Sequence, residues 1–152
     1  VRIFRVTRTY WSDANRILSK VGAITGNNSV PDVILGSQTM TGTNATATTY
    51  NYKINPGLLV TDGNILYATD GPRIVGYSQP SSLTTSNQPI DFALGQLSVT
   101  NYNVNDGGIS ASSFSSIASA EFSSGKLLVT DQATIAFCFG RAHPPRRGRR
   151  RR

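Results

Sequence analysis

The chain has 152 residues, enough for one domain with a substantial core, and a formal net charge of +7. Seven of its arginines follow Gly140, leaving eight basic residues against eight acidic ones before them, so the charge belongs to a tail and argues against a basic nucleic-acid or membrane face on the body. A single cysteine excludes an intrachain disulfide, no window approaches the ~20 apolar residues of a spanning helix, and the opening residues have no signal-peptide core.

In chain order, Val1 to Arg8 alternate arginine with apolar residues, and the Arg/aromatic opening as far as Trp11 reads either as a truncated or frame-shifted end or as a frayed preceding strand. The start at Val rather than Met favours a fragment or processed product. Strands follow at about 15–21 and 32–36, then a polar loop from Gln38 to Asn55. Gly57 to Thr61 is an apolar run, and Asp62-Gly63 is a two-residue hairpin signal because both positions tolerate positive φ. Asn64 to Thr69 supplies the returning strand, which Asp70-Gly71-Pro72 breaks, since proline lacks the donor a central ladder needs. Arg73 to Tyr77 is a third strand and, after the polar loop Ser78 to Pro89, Ile90 to Leu94 is a fourth. A second long loop, Gln96 to Ser116, leads to three strands near 117–122, 126–130 and 134–139. Where a fourth belongs, Gly140-Arg141-Ala142-His143-Pro144-Pro145 stands instead. Both long loops read as surface connections, with a functional role as the alternative.

These elements repeat. Asp32-Val33-Ile34-Leu35-Gly36 returns as Asp91-Phe92-Ala93-Leu94-Gly95. Thr61 to Asp70 returns as Ser123 to Asp131, one residue shorter. Asp13, Asp70 and Asp131 are equivalent, at separations of 57 and 61 positions. Such a period marks a solenoid, propeller or array in which no unit buries its apolar face alone. Short hairpin-linked strands form sheets of the kind that pack radially as propeller blades. The expected fold is therefore all-β: an incomplete β-propeller of about two to two-and-a-half four-stranded antiparallel blades over residues 1–140, with one full blade at about 57–95. Residues 141–152 form a disordered basic tail.

The ordered series Asp-(Val/Phe)-x-Leu-Gly, Gly-Gly-Ile-Ser-Ala-Ser-Ser, Gly-(Asn/Lys)-x-Leu-(Tyr/Val)-(Ala/Val)-Thr-Asp and (Asn/Pro)-Arg-Ile resembles the NHL-repeat type of β-propeller, in its long-repeat bacterial form, over about residues 12–139. The resemblance implies that an aspartate and an arginine support each blade: Asp13 with Arg16, and Asp70 with Arg73. The third copy has Asp131 but Thr134 in place of arginine, which leaves its charge pairing open. The proline expected before the innermost strand is Pro56, with Ser115-Ser116 in the corresponding region of the next repeat. A carboxylate beside a guanidinium at a strand turn makes charge-assisted hydrogen bonds that fix the turn. Binding of an anionic ligand by these arginines is the alternative.

Catalysis is not expected. The one histidine, His143, lies in the tail, which counts against the metal-dependent lyases of this fold. Asp32, Asp62, Asp91, Asp106 and Glu121 read, like the three repeat aspartates, as turn-forming acids, and Asn105-Asp106-Gly107-Gly108 falls short of a calcium loop. Cys138 sits in an apolar run and reads as a core filler. Asn27-Asn28-Ser29 and Asn44-Ala45-Thr46 match the glycosylation tripeptide. No cofactor or metal is expected.

The expectation is a non-catalytic binding or scaffold module, taking a protein or small ligand at the propeller rim, from a larger secreted or cell-surface parent. One alternative is a propeller enzyme with its catalytic residues in further blades. Another is nucleic-acid binding through Arg146, Arg147, Arg149, Arg150, Arg151 and Arg152, by counterion release, although no aromatics are interleaved to stack bases. Open sheet edges are expected to drive self-association.

Overall fold

The computed structural model describes residues 7–13, 15–26, 29–36, 54–86, 88–132 and 134–140, the last as backbone only. Among these residues the chain is all-β, in three small antiparallel sheets, with a single 3₁₀ turn at Pro80–Ser82. The first sheet holds β1 (Arg8–Asp13), β2 (Arg16–Val21) and β3 (Val33–Leu35) in that order. The second holds β4 (Leu59–Thr61), β5 (Ile65–Asp70), β6 (Arg73–Ser78) and β7 (Phe92–Leu94). The third holds β8 (Ile117–Ser123), β9 (Lys126–Asp131) and β10 (Thr134–Gly140). The four strands foreseen at 57–95 are thus present, in meander order.

Two expectations need correction. The first sheet has three strands rather than two, because Arg8 to Asp13 pairs along its whole length with β2, from Arg8↔Val21 to Asp13↔Arg16. This pairing places Trp11 opposite Leu18, inside the repeat. The hairpin at Asp62-Gly63 is also not the two-residue turn with positive φ at both positions. Gly63 alone has positive φ, at 87°, and Asp62 Oδ1 accepts from the amides of Asn64 (2.8 Å) and Ile65 (2.7 Å), a local side-chain turn. The two-residue turn occurs in the shorter third copy, where Ser124 (φ 51°) and Gly125 (φ 76°) join the paired residues Ser123 and Lys126.

The sheets pack in chain order. β1 lies against β4, and β8 lies against β4 and β5. The first core joins Tyr10, Ile17, Val33, Leu35 and Ile54 to Leu59, Leu66, Ala68, Val75, Tyr77 and Ile90. The second joins Tyr67, Ile74, Phe92, Leu94 and Phe114 to Ala120, Leu127 and Val129. By repeat position Tyr10, Ile17, Val33, Leu35 and Ile54 are Tyr67, Ile74, Phe92, Leu94 and Phe114. Likewise Leu59, Leu66 and Ala68 are Ala120, Leu127 and Val129. Both interfaces therefore present the same face of one sheet to the same face of the next.

Two recurring details set the sheet edges. Asp32 Oδ2 accepts from the Val21 amide (2.7 Å), and its own amide donates to Ser19 O (2.8 Å). Asp91 repeats this with the Ser78 amide and Gly76 O, closing β6 onto β7. Immediately after the outer strand, Gly36 (φ 81°) is covered by the Ile54 side chain and Gly95 (φ 85°) by the Phe114 ring. The motif Asp-x-x-Leu-Gly thus starts the outer strand with a carboxylate cap and ends it where only glycine combines positive φ with so close a neighbour.

Candidate functional site

Two places gather polar chemistry, at opposite ends of the sheets. The first is the β5–β6 turn. Arg73 donates from Nε to Asp70 Oδ2 at 2.8 Å and from Nη2 at 2.7 Å, and both side chains are buried. Arg73 Nη1 donates to the carbonyls of Val99 (2.9 Å) and Asn101 (3.2 Å), and its guanidinium lies 5.2 Å from the centre of the Tyr102 ring. Asp70 Oδ1 accepts from the Asn55 amide at 2.8 Å. One ion pair therefore ties together the entry to β4, the β5–β6 turn and the loop after β7. Its polar groups have protein partners, as a buried pair requires.

The other two copies relax this arrangement in different ways. Arg16 and Asp13 pair at 2.6 Å, but Asp13 is nearly half exposed. In the third copy Asp131, buried, accepts from the Ser115 amide (2.9 Å), the Ser115 hydroxyl (2.8 Å) and the Ser116 amide (2.8 Å). The serines that stand in the region of Pro56 therefore supply donors to the aspartate whose expected arginine is replaced by Thr134. These sequence-selected residues form three separate turn supports, not one pooled site. The tail arginines and His143, Asn27 and Asn28 of the first glycosylation tripeptide, the whole of the second and most of the first long loop lie outside the described residues, as does the Cys138 side chain.

The second long loop is organised around Asp106, which accepts from the Leu97 amide (2.7 Å) and from the side-chain amides of Asn101 (2.7 Å) and Asn103 (3.3 Å). The Asn101 hydrogen bond, then that from Leu97, holds its carboxyl below the usual aspartate range. Gln96 donates to the carbonyls of Pro72 (3.0 Å) and Asn103 (2.8 Å). The Ser113 hydroxyl donates to Gly108 O at 2.8 Å, within the Gly-Gly-Ile-Ser-Ala-Ser-Ser segment. The motif is a folded turn that delivers Phe114 under Gly95.

The second place is a cleft of about 640 Å³, open to solvent, between the first and second sheets. One wall is Thr7, Arg8 and Tyr10 of the β1 end; the other is the hairpin Thr61 to Asn64 with Pro80 and Ser81. Arg8 Nη1 donates to the hydroxyl of the buried Ser19 at 2.7 Å, while Nε is sealed from water with no acceptor among the described residues. The Tyr10 hydroxyl donates to Pro80 O at 2.6 Å, bridging the two sheets. Burial pushes the Tyr10 phenol up, against the charge of Arg8 and the Ser19 hydroxyl. The sequence gives little sign of this cleft, because Asp62 reads there only as a turn residue and Arg8 lies in an opening stretch with no clear repeat partner. No protein-family model, curated protein or solved structure matches the chain.

Proposed function

We propose that the chain is part of an NHL-type β-propeller and serves as a non-catalytic binding or scaffold module. The observation that supports this most strongly is the equivalence of the two inter-sheet cores at eight repeat positions, from Tyr10 and Tyr67 to Ala68 and Val129. A repeated interface of one kind generates blades arranged about an axis, whereas a two-layer sandwich joins inner faces once. Turn aspartates with committed partners fit a framework role, and leave the sheet ends and the clefts between blades for recognition.

The test is a screen of the labelled chain against arrayed peptides and small organic ligands, with mass spectrometry of each bound compound after incubation. The expected result is saturable binding to one class, with the compound recovered unchanged. A chemically altered compound overturns the reading, and so does an array without a saturable binder.

A further inference from the structure

We propose that the cleft between β1 and the β4–β5 hairpin binds a small carboxylate that also carries hydroxyl or amino donors, its carboxylate on Arg8 and its donors on Asp62. This rests on the binding-module reading and names the ligand chemistry of one inter-sheet cleft.

The inference comes from two opposite charges that face one space and are not partners of each other. The ion pairs among the described residues are Arg16–Asp13 and Arg73–Asp70, so Arg8 and Asp62 pair with neither and lie on opposite walls. Each is held by one atom and has capacity left. Arg8 is anchored through Nη1 to Ser19, which fixes the guanidinium before a ligand arrives. Its Nη2 has no hydrogen-bond partner among the described residues and, unlike Nε, is not sealed from solvent, so it can make a charge-assisted hydrogen bond to a carboxylate in the cleft. On the facing wall, Asp62 spends Oδ1 on the hairpin amides, leaving Oδ2 as an acceptor for O–H or N–H groups. The Asn64 side chain and the Ser81 hydroxyl add donors and acceptors beside it. The volume of about 640 Å³ lies within the usual range for small-ligand sites, about 300–1,000 Å³. A simple anion would meet the repulsion of Asp62, and a simple cation that of Arg8. A ligand carrying both a carboxylate and donors satisfies the two walls together.

Sugar acids and amino acids share this chemistry, and a nuclear magnetic resonance titration of the full chain separates them. The probes are sodium D-galacturonate and L-serine, with D-galactose as the control that lacks a carboxylate. Each is added to about 10 mM, above a millimolar Kd. The expected result is a saturable shift of the Gly63, Asn64 and Ser81 amides with one or both carboxylates. Galactose should leave them in place. Arg8→Gln should weaken binding by about tenfold or more, since the guanidinium charge is lost. Asp62→Asn keeps the Oδ1 acceptor of the hairpin and should weaken binding severalfold, so it decides the matter if Arg8→Gln fails to fold. Silence of those amides with both carboxylates overturns the proposal. So does an equal response to galactose, or an affinity indifferent to the substitutions. A binder found on the array and recovered unchanged, beside a silent cleft, overturns this proposal alone.

Discussion

Arg73 meets Asp70 at 2.8 Å with both side chains shut off from solvent, whereas in the equivalent pair, at 2.6 Å, Arg16 is largely covered and Asp13 is nearly half exposed. The same two residue types, three positions apart, therefore carry very different energetic weight. Arg73→Leu strands a buried carboxylate and should cost about 3–5 kcal/mol. Asp13→Ala removes a half-exposed, partly screened carboxylate from a largely covered guanidinium and should cost less, about 1–2 kcal/mol. Urea denaturation of the two variants checks this; equal losses would show that burial does not separate them.

A glycine and an aromatic ring are coupled at the next edge. At Gly95 (φ 85°) a methyl group would meet the Phe114 ring. Gly95→Ala should therefore cost more than the ~1 kcal/mol expected of left-handed backbone alone. In a Phe114→Ala background only the backbone part should remain, so a double-mutant cycle should return a coupling within the ~0.5–3 kcal/mol seen for contacting residues. Strict additivity would contradict the packing.

Much of this framework is legible in the sequence, and the reasons for the rest are physical. Asp70, Gly71 and Arg73 announce a turn because their types have few other uses so close together. The glycine covers are hidden, because Gly36 meets Ile54 and Gly95 meets Phe114 across about twenty positions of sequence, and the covering residue changes type. β1 is obscured by the arginine that opens it, although Arg8 donates to the buried Ser19 hydroxyl rather than to solvent alone. The cleft is invisible for a further reason: its walls come from three segments, and each reads locally as an ordinary strand end or turn.

Tyr77 is buried in the first core with a hydroxyl that has no hydrogen-bond partner among the described residues. Tyr77→Phe should therefore be neutral or stabilising by about 1 kcal/mol, since the buried hydroxyl is unsatisfied. Burial, and then the charge of Asp70, pushes its phenol well above the ordinary value of 10.0. The folded state holds the proton that the unfolded chain releases, so stability is fully present below pH 10 and falls as pH rises beyond it. Denaturation midpoints measured across that range should decline more steeply for the wild type than for Tyr77→Phe. Identical profiles would contradict the assignment.

Asp106 behaves in the opposite direction. Its carboxyl is held below the ordinary aspartate range by Asn101 and Leu97, so its contribution is present above that range, about pH 4, and is lost as pH falls through the lower folded value. Acidification should release the Leu97 amide and the Asn101 side-chain amide together, visible as a joint movement of their resonances. Asp106→Asn should remove that acid-linked step. Persistence of the step in the variant would place its origin in another carboxylate.

The repeated inter-sheet interface is tested most directly by aromatic nuclear Overhauser contacts in the full chain. Tyr67 should contact Phe122 of the third sheet, at a ring separation of 6.4 Å, as well as Phe92 of its own sheet at 6.1 Å. Its repeat equivalent Tyr10 should contact Leu59 and Leu66 of the second sheet. Both sets together are the predicted result. Contacts from Tyr10 to the third sheet, or none from Tyr67 to Phe122, would contradict the succession of like-faced sheets.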